Sequence, residues 1–325
     1  MSAFVGIDVS KATLDVAIRQ GESCQSFQVA NHPEGFQHLQ QILSQVPELL
    51  SVALEASGRY GEALAYFLLD KGYRVNYLNP KLSHRFSQKS LRYSKTDAHD
   101  AQTIAHYAQL HQPAAWIAPS PEQRLLQQRS RRLQTLKKMQ QQERNRLKSG
   151  MDDPFVLEQI QGLIQHFEGL IRQTAEAIQA LIRQNPVLKA NFKLLTSIKG
   201  IGKVTANVFL AELGDIGRFA SVKQLTAFIG LDAQDYQSGT SVKRPAHISK
   251  QGNSRLRAAL YMPALTAIRY NPAWKRLNQR LEAKHKAAKV RIVAVMKKLV
   301  HQIYGVLKSQ TPFNPNFQAS SEIAA

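Results

Sequence analysis

A single cysteine, Cys24, occurs in 325 residues. That excludes a disulfide framework and fits a reducing compartment. The ten histidines are scattered and have no cysteine pairs to join, which argues against a structural zinc site. No apolar run is long enough to span a bilayer. The first residues, MSAFVGIDVSK, lack the basic-then-apolar layout of a signal peptide. The expectation is a cytoplasmic, nucleoid-associated protein with no membrane partner. Acidic residues are scarce in one part of the chain only. Residues 1–120 carry ten Lys/Arg and ten Asp/Glu, whereas residues 121–325 carry 33 and 13 and so hold the whole net charge of +20. A long basic segment joined to a neutral one is the expected footprint of a polyanion partner, and nucleic acid is the class it favours.

The neutral part alternates strand and helix signals. AFVGIDVS, ATLDVAIRQ and SCQSFQVAN are short, β-branched and of period two. NHPEGFQHLQQILSQV reads as a helix, SVALEAS as a strand, RYGEALAYFLLDKG as a helix stopped by Gly72, and YRVNYLNP as a strand ended by Pro80. DAHDAQTIAHYAQL is a final helix, and the proline-rich HQPAAWIAPSPEQ closes the segment. This order predicts an α/β domain with a mixed sheet over residues 1–118. Residues 119–190 read as a coiled-coil hairpin. Leu126, Leu133, Leu136 and Leu147 stripe one helix and Ile160, Ile164, Phe167, Ile171, Ile178 and Ile182 the other, with the break at Pro154. Residues 191–280 contain KLLTSIKGIGKVTANVFLAELG, the form of a helix-hairpin-helix. Its glycines, Gly200 and Gly202, permit a tight turn whose N–H groups can meet a phosphate beside Lys199 and Lys203. A polar, basic, turn-rich stretch, AQDYQSGTSVKRPAHISKQGNSRLR, follows and turns helical near Asn253 or Ser254. Residues 281–325 hold an amphipathic basic helix and a tail.

Four carboxylates stand out. Asp8 ends the first strand and Glu55 the fourth, and in a sheet of this kind those ends can be neighbours. Asp97 and Asp100, in KTDAHDA, lie three apart at the start of a helix, which puts both on one face. Four carboxylates at one point need a cation, or repulsion raises their pKa values, and Mg²⁺ suits hard oxygen donors that work on phosphates. Each acid also has an ordinary reading: Asp8 as a strand end, Glu55 as a partner of Arg59, Asp97 as a helix cap. GIDVSKATLDVAI resembles, too, the first phosphate loop of sugar-kinase and actin-like ATPases. Those folds require a second Asp-Gly-rich phosphate loop and an adenosine motif, and neither occurs in the chain.

GIDVSKATLDVAI, ALEASGRY, the NP at 79–80 and KTDAHDA resemble the DEDD transposases of bacterial insertion sequences, a family that includes the pilin-gene invertase and the bridge-RNA-guided recombinases. The resemblance continues through SIKGIGKVTANVFLAELG, QLTAFIGLD, YQSGTSVKRPAHISKQGNSRLRAALYMPA and YGVLKS, nearly the whole chain. One departure is Lys199, where family members often have Pro before the hairpin GIG. The resemblance implies a ribonuclease-H-like, RuvC-type catalytic domain, a coiled coil and a mainly helical transposase domain. It implies metal ligation by Asp8, Glu55, Asp97 and Asp100, with Ser238 of YQSG as the nucleophile of a phosphoserine intermediate. On the residues alone Ser241 competes with Ser238, and a Ser-Gly pair is commonly just a turn. The resemblance further implies a noncoding, element-derived guide RNA. Strand exchange needs more than one cutting site, so a dimer or tetramer is expected, acting on donor and target DNA. Lys243, Arg244, Lys250, Arg255 and Arg257 join Lys199 and Lys203 as candidate phosphate contacts. The alternatives are a metal-dependent junction nuclease that uses water, and an invertase that reads DNA without RNA.

Overall fold

The computed structural model describes residues 2–55, 60–78, 86, 97–238 and 242–314; the side chains at 97–98, 235–238 and 242–246 lie outside that description. The chain divides into two units, Met1–Ala118 and Pro119–Ala325.

The first unit runs β1 (Ala3–Val9), β2 (Thr13–Gln20), β3 (Ser23–Ala30), α1 (Pro33–Ser44), β4 (Leu49–Glu55), α2 (Glu62–Asp70), β5 (Val75–Leu78) and α3 (Asp97–His111). The strands form one sheet in the order β3-β2-β1-β4-β5. β1, β2 and β3 are antiparallel neighbours, and β4 and β5 run parallel to β1. This is the mixed sheet that the sequence order predicts, in keeping with the ribonuclease-H-like domain that the family resemblance implies.

Strand alternation assigns the two faces. Val5, Ile7, Leu14, Val16, Val52 and Leu54 pack against Phe36, Leu39 and Leu43 of α1 and Leu64, Ala65 and Leu68 of α2. Each large side chain buried there contributes about 1.5–3 kcal/mol. The other face lies under α3. Phe4, Ala53 and Leu78 meet Ile104 and Ala108, while Ala17 meets Ala101 and Ala105. At Gly6 the approach is closest: a Cβ there would stand 2.2 Å from the Ala101 carbonyl oxygen and 2.2 Å from the Ala105 nitrogen. Only glycine lets the backbones come together at that point.

In the second unit, α4 (Pro121–Leu147) and α5 (Pro154–Gln184) form an antiparallel pair, shown by Gln140 Nε2 donating to the Ile164 carbonyl and Arg129 Nη1 to that of Ala177. There follow α6 (Pro186–Ser197), α7 (Lys203–Leu213), a 3-10 turn (Ile216–Arg218), α8 (Val222–Ile229), the hairpin β6 (Ala233–Ser238) and β7 (Val242–Ile248), then α9 (Ser254–Ala259), α10 (Tyr261–Tyr270), α11 (Pro272–Ala283) and α12 (Ala288–Ser309). Four helices start in the same way. Ser120, Asp153, Asn185 and Asn271 cap the first turn, and a proline follows each. That residue pair is suited to a helix start because proline's missing N–H would have had no partner there.

The base of the α4–α5 pair (Leu126, Leu133, Ile178, Ile182) shares one core with α6, α7, α8, α9, α10 and α12. Val295, Leu299, Val300 and Ile303 of α12 are fully buried in it. The tail begins ordered: the Phe313 N–H donates to Ser197 Oγ at 2.8 Å. Residues 315–325 lie outside the described set.

Candidate active site

α3 crosses β1 in the opposite direction, and contacts at two successive levels fix that direction. Near the start of β1, Arg19 (paired with Phe4) donates from Nε to Gln109 Oε1 at 2.6 Å. One level on, Ala101 and Ala105 lie over Gly6 and Ala17, and Gln102 Nε2 donates to Ser26 Oγ on β3 at 3.0 Å. The helix number falls as the strand number rises. The next level on the sheet is that of Asp8, and the next turn on the helix is its first.

Two rows of α3 then run back to its first turn. By helical period the row Ala105–Ala101 continues one turn back to Asp97. The row Ala108–Ile104, which packs on Ala53, extends back to Asp100, at the level of Glu55. Asp8, next to last in β1, and Glu55, the last of β4, follow Ile7 and Leu54, the final pair of the parallel β1–β4 ladder, and both share the α3-covered face with Gly6 and Ala53. Asp8 and Glu55 stand at neighbouring strand ends and Asp100 in the first turn of α3, and all three are half-buried. Asp97's side chain lies outside the described residues, and among those that are described no three Asp, Glu, His or Cys side chains converge closely enough to hold an ion. The donor set, carboxylates only, is that of a hard divalent cation.

The rim is pinned by a residue the sequence reading passed over. Asn31 donates from Nδ2 to the Ser10 carbonyl at 2.7 Å and to that of Tyr60 at 3.3 Å, and its N–H donates to the Ala12 carbonyl at 2.8 Å. It ties the turn after Asp8 to the chain emerging from Glu55. Asp15, also passed over, is paired with Asp8 across β1 and β2.

The serine motif is built differently from its sequence reading. The stretch expected as a loop is a two-stranded hairpin, with Tyr236 opposite Arg244, Gln237 opposite Lys243 and Ser238 opposite Val242. Ser238 is therefore the last strand residue before the turn. Gly239, Thr240 and Ser241 lie outside the described residues. The return from β7 is held against α8. The Ser249 hydroxyl bonds the Asp232 carboxylate, the Lys250 N–H donates to the Gly230 carbonyl, and that of Asn253 to Phe228 at 2.7 Å. Gly252 passes so close that a Cβ would lie 2.3 Å from the Phe228 oxygen.

Behind this segment sits Glu212, 5% exposed. Arg131 grips it with two bonds, Nε to Oε1 at 2.7 Å and Nη2 to Oε2 at 3.0 Å. Asn253 Nδ2 donates to Oε2 at 2.9 Å. Burial pushes the Glu212 carboxyl up, but the bonds from Arg131 and Asn253 and the nearby guanidinium charges bring it below its ordinary value. Arg255 stands 3.8 Å from the same carboxylate, and Arg257 Nη1 donates to the Ile229 carbonyl at 2.8 Å. Lys199, Lys203 and Lys250 are exposed. In the turn between α6 and α7, Gly200 has φ +100°. Gly202 caps α7 without a side-chain acceptor, so the cap leaves the first-turn N–H groups unmatched by any side chain of its own.

A family model described as "Transposase IS116/IS110/IS902 family" matches residues 192–279, and one for the DEDD transposases of IS110, described as "Transposase", matches residues 5–156. The pilin gene-inverting protein of Moraxella bovis is 32% identical over 323 residues, covering 96% of this chain and 97% of its own. The chain belongs to the IS110 family of DEDD transposases. Other members similar to it include the pilin gene-inverting protein of Moraxella lacunata, also 32% identical over 323 residues with 96% and 97% coverage. The transposase for insertion sequence element IS1111A of Coxiella burnetii is 40% identical over 86 residues, 26% of this chain and 23% of its own. A solved structure of Thermus thermophilus RuvC with a Holliday junction substrate aligns over 36% of this chain and 100% of its own, at 15% identity and a TM-score of 0.27. As an IS110-family member the protein is a DNA strand-exchange enzyme.

Proposed function

We propose that this transposase exchanges DNA strands through a serine-linked intermediate made by Ser238, with Mg²⁺ held by Asp8, Glu55, Asp97 and Asp100. What supports the reading is that α3, which begins at Asp97, packs over Gly6 and Ala53, two residues before Asp8 and Glu55 on their strands. Mg²⁺, when bound, neutralises phosphoryl charge and acidifies an oxygen bound to it.

Ser238 Oγ attacks the scissile phosphorus and gives up its proton. The Oγ–P bond forms, the bond from phosphorus to a deoxyribose oxygen breaks, and the released hydroxyl is protonated. A hydroxyl of the second strand then attacks the same phosphorus, forming a new phosphodiester and returning the serine hydroxyl. The number of phosphodiesters is conserved, so no high-energy cofactor is consumed. Ser238's position at a strand end, rather than within a loop, anchors its backbone by the hairpin ladder, as a nucleophile requires. Lys199, Lys203, Lys250 and the first-turn N–H groups of Gly202's helix serve as phosphate contacts, with Lys243 and Arg244 on the strand facing the serine. Arg255 and Arg257 share their charge with Glu212 and the Ile229 carbonyl, and so contribute less. The basic surface holds a structured noncoding guide RNA, and two or four copies supply the cutting sites.

A second reading is inversion of a DNA segment without a guide. Two relatives named as pilin gene-inverting proteins, similar along nearly the whole chain, favour it. The test incubates protein with Mg²⁺, junction DNA of its own element, and RNA transcribed from the element's flank, present or omitted. Products are resolved on a denaturing protein gel. A DNA-linked band lost in Ser238→Ala and in Asp97→Ala, and kept in Ser241→Ala, is expected. RNA dependence of that band separates guided transposition from inversion. Cleaved DNA without a linked band, unchanged in Ser238→Ala, would replace this reading with a hydrolytic nuclease.

A further inference from the structure

The acidic end of the sheet contains one carboxylate more than the family motif accounts for. Asp15 lies directly opposite Asp8 in the antiparallel β1–β2 register. Opposed residues of such a pair point to the same face with Cβ atoms about 4.5–5.5 Å apart. That face is the one α3 covers, because Ala17, two residues on, packs against Ala101 and Ala105. Asp15 is only 8% exposed. One of its oxygens, Oδ1, accepts a hydrogen bond from Gln28 Nε2 at 3.0 Å, and Gln28 is in turn its partner on β3. The other, Oδ2, is buried and has no hydrogen-bond partner among the described residues.

A buried carboxylate oxygen without a donor is costly, and one opposed to a second carboxylate is costlier. A purely structural role would be met by the Gln28 bond alone, and an uncharged amide side chain in the same place would accept that bond equally well. The negative charge and the unused oxygen are left over. They acquire a purpose if a hydrated cation sits beside Asp8, because Mg²⁺ keeps several of its waters and those waters need acceptors.

We infer that Asp15 is a positioning residue of the acidic site: Gln28 fixes its carboxylate by Oδ1, and Oδ2 accepts hydrogen bonds from water on the divalent cation that Asp8 helps to hold. This rests on the reading of Asp8 as a cation ligand. It adds a residue on β2, and a second behind it on β3, to a site otherwise drawn from β1, β4 and α3. Partners of this outer kind commonly change metal affinity about 10- to 100-fold.

The experiment titrates Mn²⁺ into the full-length protein without nucleic acid, following free Mn²⁺ by electron paramagnetic resonance and folding by thermal unfolding. It uses wild type, Asp8→Asn, Asp15→Asn and Gln28→Ala. Wild type binds Mn²⁺ and Asp8→Asn loses it. Asp15→Asn, which preserves size and the Gln28 bond, binds about tenfold or more weakly while its melting temperature without metal is equal to wild type or higher. Gln28→Ala, which loosens the carboxylate and leaves its charge, binds several-fold more weakly. Wild-type affinity in both Asp15→Asn and Gln28→Ala, with affinity lost in Asp8→Asn, would overturn the role of Asp15 and leave the acidic site intact. No binding by wild type would overturn the acidic site and Asp15 together. If Asp15→Asn does not fold, Gln28→Ala decides alone, since wild-type affinity there is incompatible with the inference.

Discussion

Substituting Gly6 by alanine tests the close packing of α3 on β1 on which the proposed acidic site depends. The new methyl would meet the Ala101 oxygen and the Ala105 nitrogen, both at 2.2 Å, and the Ala105 Cα at 2.9 Å. All three are backbone atoms, so no rotamer change relieves the clash. Restoring ordinary contact requires α3 to retreat from β1 by about 1 Å. Overpacking of this size costs about 1–3 kcal/mol. Because the clash is against backbone, the upper end, about 3 kcal/mol, is expected here. The first turn of α3 moves with the helix, so Asp97 and Asp100 shift relative to Asp8 and Glu55. A misplacement of about 1 Å at a catalytic centre costs about 100-fold in rate. The assay pairs denaturant unfolding with the linked-band assay under single-turnover conditions. Gly162→Ala serves as control, since no described atom lies within 4 Å of the added Cβ there. Gly6→Ala with wild-type stability and wild-type rate would refute the argument that α3's close approach builds the site.

Other consequences follow from the second unit. Glu212 has a carboxyl held below its ordinary value, so its contribution to stability is complete above about pH 4.5 and is lost as pH falls through its folded value. Glu212→Gln should cost about 2–4 kcal/mol at about pH 7, because Arg131 loses its bidentate partner, and should flatten the acid limb of an unfolding curve. An acid limb unchanged by the substitution would exclude that account. Asn253→Ala removes the cap of α9 and a bond to Glu212, for about 2 kcal/mol by chemical denaturation. Gly200→Ala forces a side chain to φ +100° and 3.2 Å from the Pro263 carbonyl, costing about 1–3 kcal/mol. Lys199→Ala and Lys203→Ala each should lower the salt slope of DNA binding by about 1, measured by fluorescence anisotropy from low to moderate salt. An unchanged slope would remove the hairpin from the DNA interface.

The sheet was legible because β-branched alternation survives in β1, β2, β3 and β4, and the strand–helix order leaves few topologies. Asp8, Glu55, Asp97 and Asp100 were legible as ends of those elements. Asp15 was not. In TLDVAIRQ an acid between apolar residues reads as the solvent side of a strand, and only the discovery that α3 covers that side makes it a buried group. Asn31 and Glu212 were hidden for the same reason: their partners lie at Ser10, Tyr60, Arg131 and Asn253, and no local period records such distances. The hairpin around Ser238 was missed because Tyr-Gln-Ser-Gly-Thr-Ser is rich in turn formers. The strand signal in VKRPAHI is broken by Pro245, which only an edge strand tolerates. The cationic motif near Asn253 mixed two roles. Its lysine is exposed, while its arginines answer Glu212 and the end of α8.

The central claim is that Ser238 carries the DNA during exchange. The most direct measurement is mass spectrometry of the denatured protein–DNA adduct after nuclease and trypsin digestion. The relevant peptide spans residues 224–243 and contains Tyr236, Ser238 and Ser241. A nucleotide mass that fragmentation assigns to Ser238 is the predicted result. A nucleotide on Tyr236 or Ser241, or strand exchange in which that peptide is never modified, would contradict it.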